Sequence, residues 1–438
     1  GGKIMHLDFI SKKLCEQFLT EQYMPKPGTV DLMIGLQYGD EGKGKDVDIY
    51  APSYNIVARW QGGPNSGHTI TVDGEKMFFH TLPSGAKHKK CELFIGNKVT
   101  VNPIILQKEI CDLREQTGID ACERLFISES AILILPTHLW EDELSELALG
   151  DRKIGSTKNG ITPAYTADIA RRGLRMGDLL KDNYEEVIDD HISADIQRLN
   201  MQYSTGMGIL KNHPLFTLDA INEWKKSLEI IQKQMIVSNM WILDQLEKGK
   251  TVLGEGAQAT WLDLTFGDYN KVTSSNTISG SACVGLGIPP QKINRIYGIF
   301  KAYDTRVGEG PFTEFPKVLS EKIRKIGSEY GASTGRPRKT GPLNMQTLLK
   351  AIRLNGVTNL IMNKLDVLNN LEFYVIGEDG FKIPFRGTCV TKDGECNEWA
   401  EEFLSYITTE IDKRTDARLT GIGIGPDRED YILNRKTH

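Results

Sequence analysis

Gly39-Asp40-Glu41-Gly42-Lys43-Gly44-Lys45 follows the apolar run Leu32-Met33-Ile34, which reads as a buried strand from Leu32 to Leu36. Glycines at 39, 42 and 44 let the backbone pass close to a bulky anion, because glycine lacks a Cβ and tolerates positive φ. Lys43 and Lys45 bring the opposite charge, and a helix starting near Asp46 would aim its N–H groups at the same point. The stretch is therefore a phosphate loop at a strand end. A Walker loop reads G-x-x-x-x-G-K-[ST]; Gly39, Gly44 and Lys45 fit it, but Asp46 stands where the magnesium-binding hydroxyl belongs. Asp40 can supply the missing oxygen. An acid inside an anion site repels its ligand, so Asp40 is read as a metal ligand or a proton carrier.

Outward from the loop, the strand Ile56–Trp60 runs into Gln61-Gly62-Gly63-Pro64-Asn65-Ser66-Gly67-His68-Thr69, again glycine-rich at a strand end where α/β sheets bind ligands. Thr71-Val72 and Met77-Phe78-Phe79 flank Asp73-Gly74 as a hairpin. Asn102-Pro103 caps a helix reaching Leu113. Further strands are read at Leu125–Ile127, Ala131–Ile134, Thr251–Leu253, Ile296–Phe300 and Leu360–Met362, and helical spacing runs from Leu218 to Leu246. Alternating strands and helices predict an α/β fold: a single large domain over residues 29–438, with a central, mainly parallel sheet flanked by helices, a P-loop-NTPase-like core and insertions. Residues 1–28 read as an N-terminal extension outside this fold. There Leu7, Ile10, Leu14 and Phe18 recur at helical spacing ahead of Pro25, Pro27 and Gly28.

A net charge of -5 argues against a general nucleic-acid binder. The seven cysteines are scattered without a C-x-x-C, which suits a reducing compartment and excludes a disulfide framework or zinc site. No apolar run nears the ~20 residues of a membrane span, and no signal-peptide pattern appears, so the expected location is cytoplasmic.

Asn363-Lys364-Leu365-Asp366 has the form N-K-x-D after a strand. A carboxylate there accepts from guanine N1–H and the 2-amino group, which adenine cannot offer, and one charged hydrogen bond contributes roughly 1.5–3 kcal/mol. On these residues alone a surface turn is an equal alternative. His68 suits a general acid or a donor to a phosphoryl oxygen. In Gly331-Ala332-Ser333-Thr334-Gly335-Arg336-Pro337-Arg338, Pro337 holds Arg336 extended, so two guanidinium forks serve a dianion. Val272–Thr277 offers uncharged hydroxyls, more often a plain loop than a site.

Together these stretches, with Gly155–Tyr165, Arg171–Arg175, Glu255–Gln258, Lys301–Pro311 and Gly425-Pro426-Asp427-Arg428, resemble the adenylosuccinate synthetase family from about residue 29 to the C-terminus. The resemblance implies a magnesium-dependent ligase, GTP + IMP + L-aspartate → adenylosuccinate + GDP + phosphate, acting through 6-phosphoryl-IMP. It implies a homodimer too. Carried over, the catalytic set is Asp40, Lys43, His68 and Gln258, with Mg2+ on Asp40 and the Gly67 carbonyl. GTP contacts fall on Gly39, Asp40, Glu41, Gly42, Lys43, Gly44, Lys45, Gly67, His68, Thr69, Arg338, Lys364, Leu365, Asp366, Gly423, Ile424 and Gly425. IMP contacts fall on Asp40, Lys43, Asn65, Gly67, His68, Thr157, Gln258, Thr273 and Arg336, with Arg171 reaching across from a second subunit. Aspartate falls on Ala332, Ser333, Thr334, Gly335, Arg336, Pro337 and Arg338. Two departures stand out: Gly423 where many relatives have Ser, and Asn159 where bacterial relatives have Arg. A GTP-binding switch would share the phosphate loop and N-K-x-D but leaves the arginine and histidine loops unexplained. A GTP-dependent kinase of another nucleotide would ignore aspartate.

Overall fold

Val30–Gly35 is buried at every position, and its side chains alternate between two apolar layers. Val30, Leu32 and Ile34 pack with Ile56, Ala58 and Trp60 on one face, while Met33 joins Val57 and Ile95 on the other. Burial on both faces is why such strands read as unbroken apolar runs. The computed structural model describes residues 9–10, 23–72, 74–150, 157–203, 216–331, 335–391 and 393–434. Among them lies a twelve-stranded sheet in the order Phe9–Ile10, Tyr431–Asn434, Arg418–Gly423, Asn359–Asn363, Ile293–Lys301, Val30–Gly35, Val252–Glu255, Ile56–Gly62, Glu92–Val101, Leu125–Ser128 and Ile236–Val237. Ile132–Leu133 branches from Glu92–Val101. Tyr431–Asn434 is antiparallel to both neighbours, and the remaining pairings are parallel. The mainly parallel α/β sheet expected from the alternation is thus present.

Asn102 caps the Pro103–Thr117 helix as expected, its side chain accepting from the Ile104 N–H at 3.1 Å. His68–Val72 and Glu75–Phe79 form the hairpin. The long helix read from Leu218 to Leu246 is not one helix. It breaks into Leu218–Ser227, two short 3-10 turns, the strand Ile236–Val237 and the helix Trp241–Glu247. Ile236 and Val237 are β-branched and pair with Ile127 and Ser128 at the sheet edge, so tertiary pairing overrides an apolar spacing shared by helix and turn.

Two described pieces of the segment before residue 29 join the fold. Phe9–Ile10 pairs with Leu433 and Asn434, so Ile10 is in a strand; the rest of the helix read there lies outside the described residues. Tyr23 is buried: its hydroxyl meets those of Tyr297 at 2.5 Å and Tyr54 at 2.9 Å, and its ring stands edge-on to Tyr50.

Candidate active site

Because the central strands are parallel, their C-terminal ends share one edge of the sheet, and the sheet order sets out the site. The phosphate loop follows the middle strand, Val30–Gly35. Two strands away on one side, Asn359–Asn363 delivers the N-K-x-D turn. Two strands away on the other, Ile56–Gly62 delivers the Asn65–Thr69 loop, with Gln258 following the intervening strand. A cavity of about 510 Å³ opens here, lined by residues 39–45, Asn65, Gly67, His68, Thr69, Gln258, Arg338, Lys364, Asp366 and Gly425.

The helix after the phosphate loop starts at Lys43, three residues before the expected Asp46, and it is buried throughout. Gly42 precedes it at φ 94, a conformation that needs glycine. The Glu41 carboxylate accepts from the Gly39 N–H at 2.8 Å and from the Lys43 ammonium at 2.6 Å, so it shapes the loop from beneath. The Lys45 ammonium donates to the Gly425 and Asp430 carbonyls at 2.5 and 2.8 Å, and Arg428 pairs with Asp48. These contacts dock the 423–430 loop on the phosphate-loop helix. Burial pushes Lys45 down to about 8, despite nearby Asp46. Asp40 carries left-handed backbone at φ 61, and its carboxylate stands 3.0 Å from Arg338 Nε. Among the described residues seven non-glycines have positive φ, and Asp40, Arg171, Gln258 and Lys364 are four of them. Such strain gathers at functional sites.

His68 is buried, with Nδ1 hydrogen-bonded to Glu255. Glu255 also accepts from the Ser84 N–H at 2.7 Å and the Ser84 hydroxyl at 2.5 Å. Burial lowers the imidazole below its ordinary range. Burial pushes Glu255 the other way, but His68, Arg59 and Ser84 outweigh it and hold the carboxyl below the usual glutamate range. An ionised Glu255 makes Nδ1 the donor and fixes the ring, turning Nε2 away from the carboxylate.

Gln258 Nε2 donates to Asn65 Oδ1 at 3.1 Å, and Asn65 Nδ2 donates to Thr273 Oγ1 at 3.3 Å. Gln258 Oε1 is buried without a hydrogen-bond partner among the described residues. Asn159 Nδ2 donates to the Pro64 carbonyl at 3.2 Å, which ties it to the same loop. Thr157, Arg171 and Arg336 are exposed and do not line the cavity, and neither does Thr273. Ala332, Ser333 and Thr334 lie outside the described residues; Gly335, at φ 62, and Pro337 are exposed.

At the N-K-x-D turn, Asn363 Nδ2 donates to the Glu41 carbonyl at 2.8 Å and to Asp46 at 2.7 Å, joining the turn to the phosphate loop. A Cβ on Gly423 would sit 2.1 Å from Asn363 Oδ1, so this Asn363 placement requires glycine there. Asp366 lines the cavity with Oδ1 buried and without a hydrogen-bond partner among the described residues, and burial raises its carboxyl above the ordinary range although Lys45 pulls it down. Leu365 and Ile424 are buried beneath. Lys364 Nζ donates to Gly327 O at 2.7 Å and to Glu329 at 2.8 Å.

Sequence reasoning assigned no role to Glu255, Glu329 or Lys301, all with no exposed surface. The signal for Lys301 was a charge closing the apolar run Ile296–Phe300. Glu329 gave none.

The family model for adenylosuccinate synthetase matches residues 32–379 of the chain. The chain belongs to the adenylosuccinate synthetase family. The adenylosuccinate synthetase of Azobacteroides pseudotrichonymphae is 41% identical over 431 residues, covering 92% of this chain and 99% of the relative. That of Cytophaga hutchinsonii is 44% identical, with 92% and 98% covered. The fully ligated adenylosuccinate synthetase from Plasmodium falciparum superposes with a TM-score of 0.80 at 31% identity, over 93% of this chain and 100% of that one. A cyanophage S-2L succinoaminodeoxyadenylate synthetase, bound to dGMP and dATP, superposes at 0.61 with 20% identity over 93% of this chain and 95% of that one, and shares the fold alone. The family resemblance read from the loops is thereby borne out. An adenylosuccinate synthetase is a ligase of AMP biosynthesis that joins IMP to L-aspartate at the expense of GTP, and this is the reaction of the chain. No helix among the described residues is long and apolar enough to cross a membrane.

Proposed function

We propose that the ligation proceeds through 6-phosphoryl-IMP, with Asp40 as the base that makes O6 nucleophilic. The oxygen at C6 of IMP belongs to an amide-like ring and leaves poorly. Removal of the N1 proton by Asp40 places negative charge on O6, which attacks the γ-phosphorus of GTP and releases GDP. The aspartate amine then displaces phosphate from C6. The observation carrying this reading is Asp40 in strained backbone within the phosphate loop, on the cavity wall and facing Arg338. Turning the Arg338 fork onto a ligand frees the carboxylate for the purine.

Lys43 neutralises charge spreading over the transferring group, the main help a protein gives phosphoryl transfer. A phosphoryl oxygen against His68 Nε2 favours the imidazolium, which donates to it. Gln258 and Asn65 orient IMP. The unpartnered Asp366 oxygen takes the guanine donors beside Lys364.

Asp40 and the Gly67 carbonyl are hard oxygen donors suited to Mg2+, which takes few protein ligands and completes its shell from phosphates and water. Bound there, the ion neutralises phosphate charge. The scattered cysteines support a cytoplasmic enzyme.

Omitting each substrate in turn tests the reaction: phosphate release from GTP should require IMP, and release from GTP alone would overturn the reading. Arg171, exposed and off the cavity wall of its own chain, is assigned to the IMP site of a second subunit in a homodimer. Arg171→Leu should raise the KM for IMP by about ten-fold, the loss of one charged hydrogen bond. Mixing Arg171→Leu with an Asp40 variant should restore part of the activity in hybrid dimers, and no recovery would remove the shared site.

A further inference from the structure

Glu329 has no exposed surface, yet four side chains from three parts of the chain converge on its carboxylate. The Tyr303 hydroxyl donates to Oε1 at 2.6 Å, Lys364 Nζ donates to Oε1 at 2.8 Å, and Lys301 Nζ lies 3.3 Å away. Arg338 Nη1 donates to Oε2 at 2.6 Å, and the Arg338 N–H donates to the Glu329 carbonyl at 3.0 Å. A buried carboxylate needs such partners, but their identity says more than burial. Lys301 and Tyr303 are buried and grip the group from the sheet side. The other two line the cavity from different arms: Lys364 from the N-K-x-D turn, Arg338 from the arginine loop. Without Glu329 these cations would face one another, with Asp40 left 3.0 Å from Arg338 as a counter-charge.

We infer that Glu329 is a positioning residue that couples the guanine end of the site to the aspartate end, holding Lys364 and Arg338 in a fixed mutual arrangement. This rests on the reading above that gives Lys364 to GTP and Arg338 to GTP and aspartate. A ligand that seats Lys364 thereby seats Arg338, and the reverse. Glu329 is buried and is not among the residues lining the cavity, so it acts through these two side chains. Breaking a purely structural ion cluster would lower the melting temperature without discriminating among substrates.

Steady-state kinetics with each substrate varied, alongside thermal melting, tests this. Glu329→Gln keeps the shape and removes the charge. It should raise the KM for GTP and for aspartate by about ten-fold or more, the size of one charge-assisted hydrogen bond, while the KM for IMP stays within about two-fold. Glu329→Asp keeps the charge and should restore part of both; it decides the question if the glutamine variant does not fold. Lys364→Ala should raise the KM for aspartate in the parent chain but not in the Glu329→Gln background, the mark of coupling routed through Glu329. Equal changes in all three KM values, or a lower melting temperature with no change in KM, would overturn the inference. If Lys364→Ala and Arg338→Ala raise the KM values of GTP and aspartate while Glu329→Gln does not, the coupling role alone falls. If neither alanine variant moves those values, the substrate assignments fall and take the inference with them.

Discussion

Asp40→Asn is expected to bind GTP and IMP at near-normal strength while its turnover falls by about 10²–10⁴, the contribution of a positioned general base. Asparagine keeps the shape and also tolerates the left-handed backbone seen at φ 61, so the loop should fold as before. What it loses is the proton acceptor and the negative charge offered to Mg2+. Calorimetric GTP and IMP titrations beside steady-state rates separate the two effects. A rate within about ten-fold of the parent, outside the range for a base, would remove Asp40 from that role. The Arg338 contact adds a second signature: without a full negative charge at position 40, Arg338 keeps only its Glu329 partner among the two carboxylates that face it.

Asp366→Asn should carry the next largest effect, and on a different quantity. Asp366 lines the cavity, and its buried Oδ1 has no hydrogen-bond partner among the described residues. A carboxylate there accepts from both guanine donors, and an amide can accept from only one. At roughly 1.5–3 kcal/mol per charged hydrogen bond, kcat/KM for GTP should fall by about 10- to 100-fold with little change for ATP. Competition between the two nucleotides measures this. An unchanged GTP/ATP ratio would clear Asp366 of base recognition.

Local patterns were legible in the sequence where the chemistry is local. The phosphate loop announces itself because close backbone approach to an anion restricts side chains to glycine at Gly39 and Gly42, both at positive φ. The central strands were legible because burial on two faces forces runs such as Leu32-Met33-Ile34. The N-K-x-D turn fell where a strand ends, as expected. What was not legible is the support beneath these loops. His68 and Glu255 meet across 187 residues, and no pattern near either one points to the other. Glu329 sits in an ordinary-looking turn, and its four donors come from Lys301, Tyr303, Arg338 and Lys364. The broken helix after Leu218 shows the complementary error. Apolar spacing alone did not register that Ile236–Val237 would find a sheet edge.

The central claim is that a carboxylate in a phosphate loop turns the purine C6 oxygen into a phosphoryl acceptor. The most direct measurement follows that oxygen. IMP carrying ¹⁸O at C6, turned over with GTP and aspartate, should deliver its label to the released inorganic phosphate. Label recovered in water, with phosphate unlabelled, would contradict phosphorylation at O6 and with it the role given to Asp40.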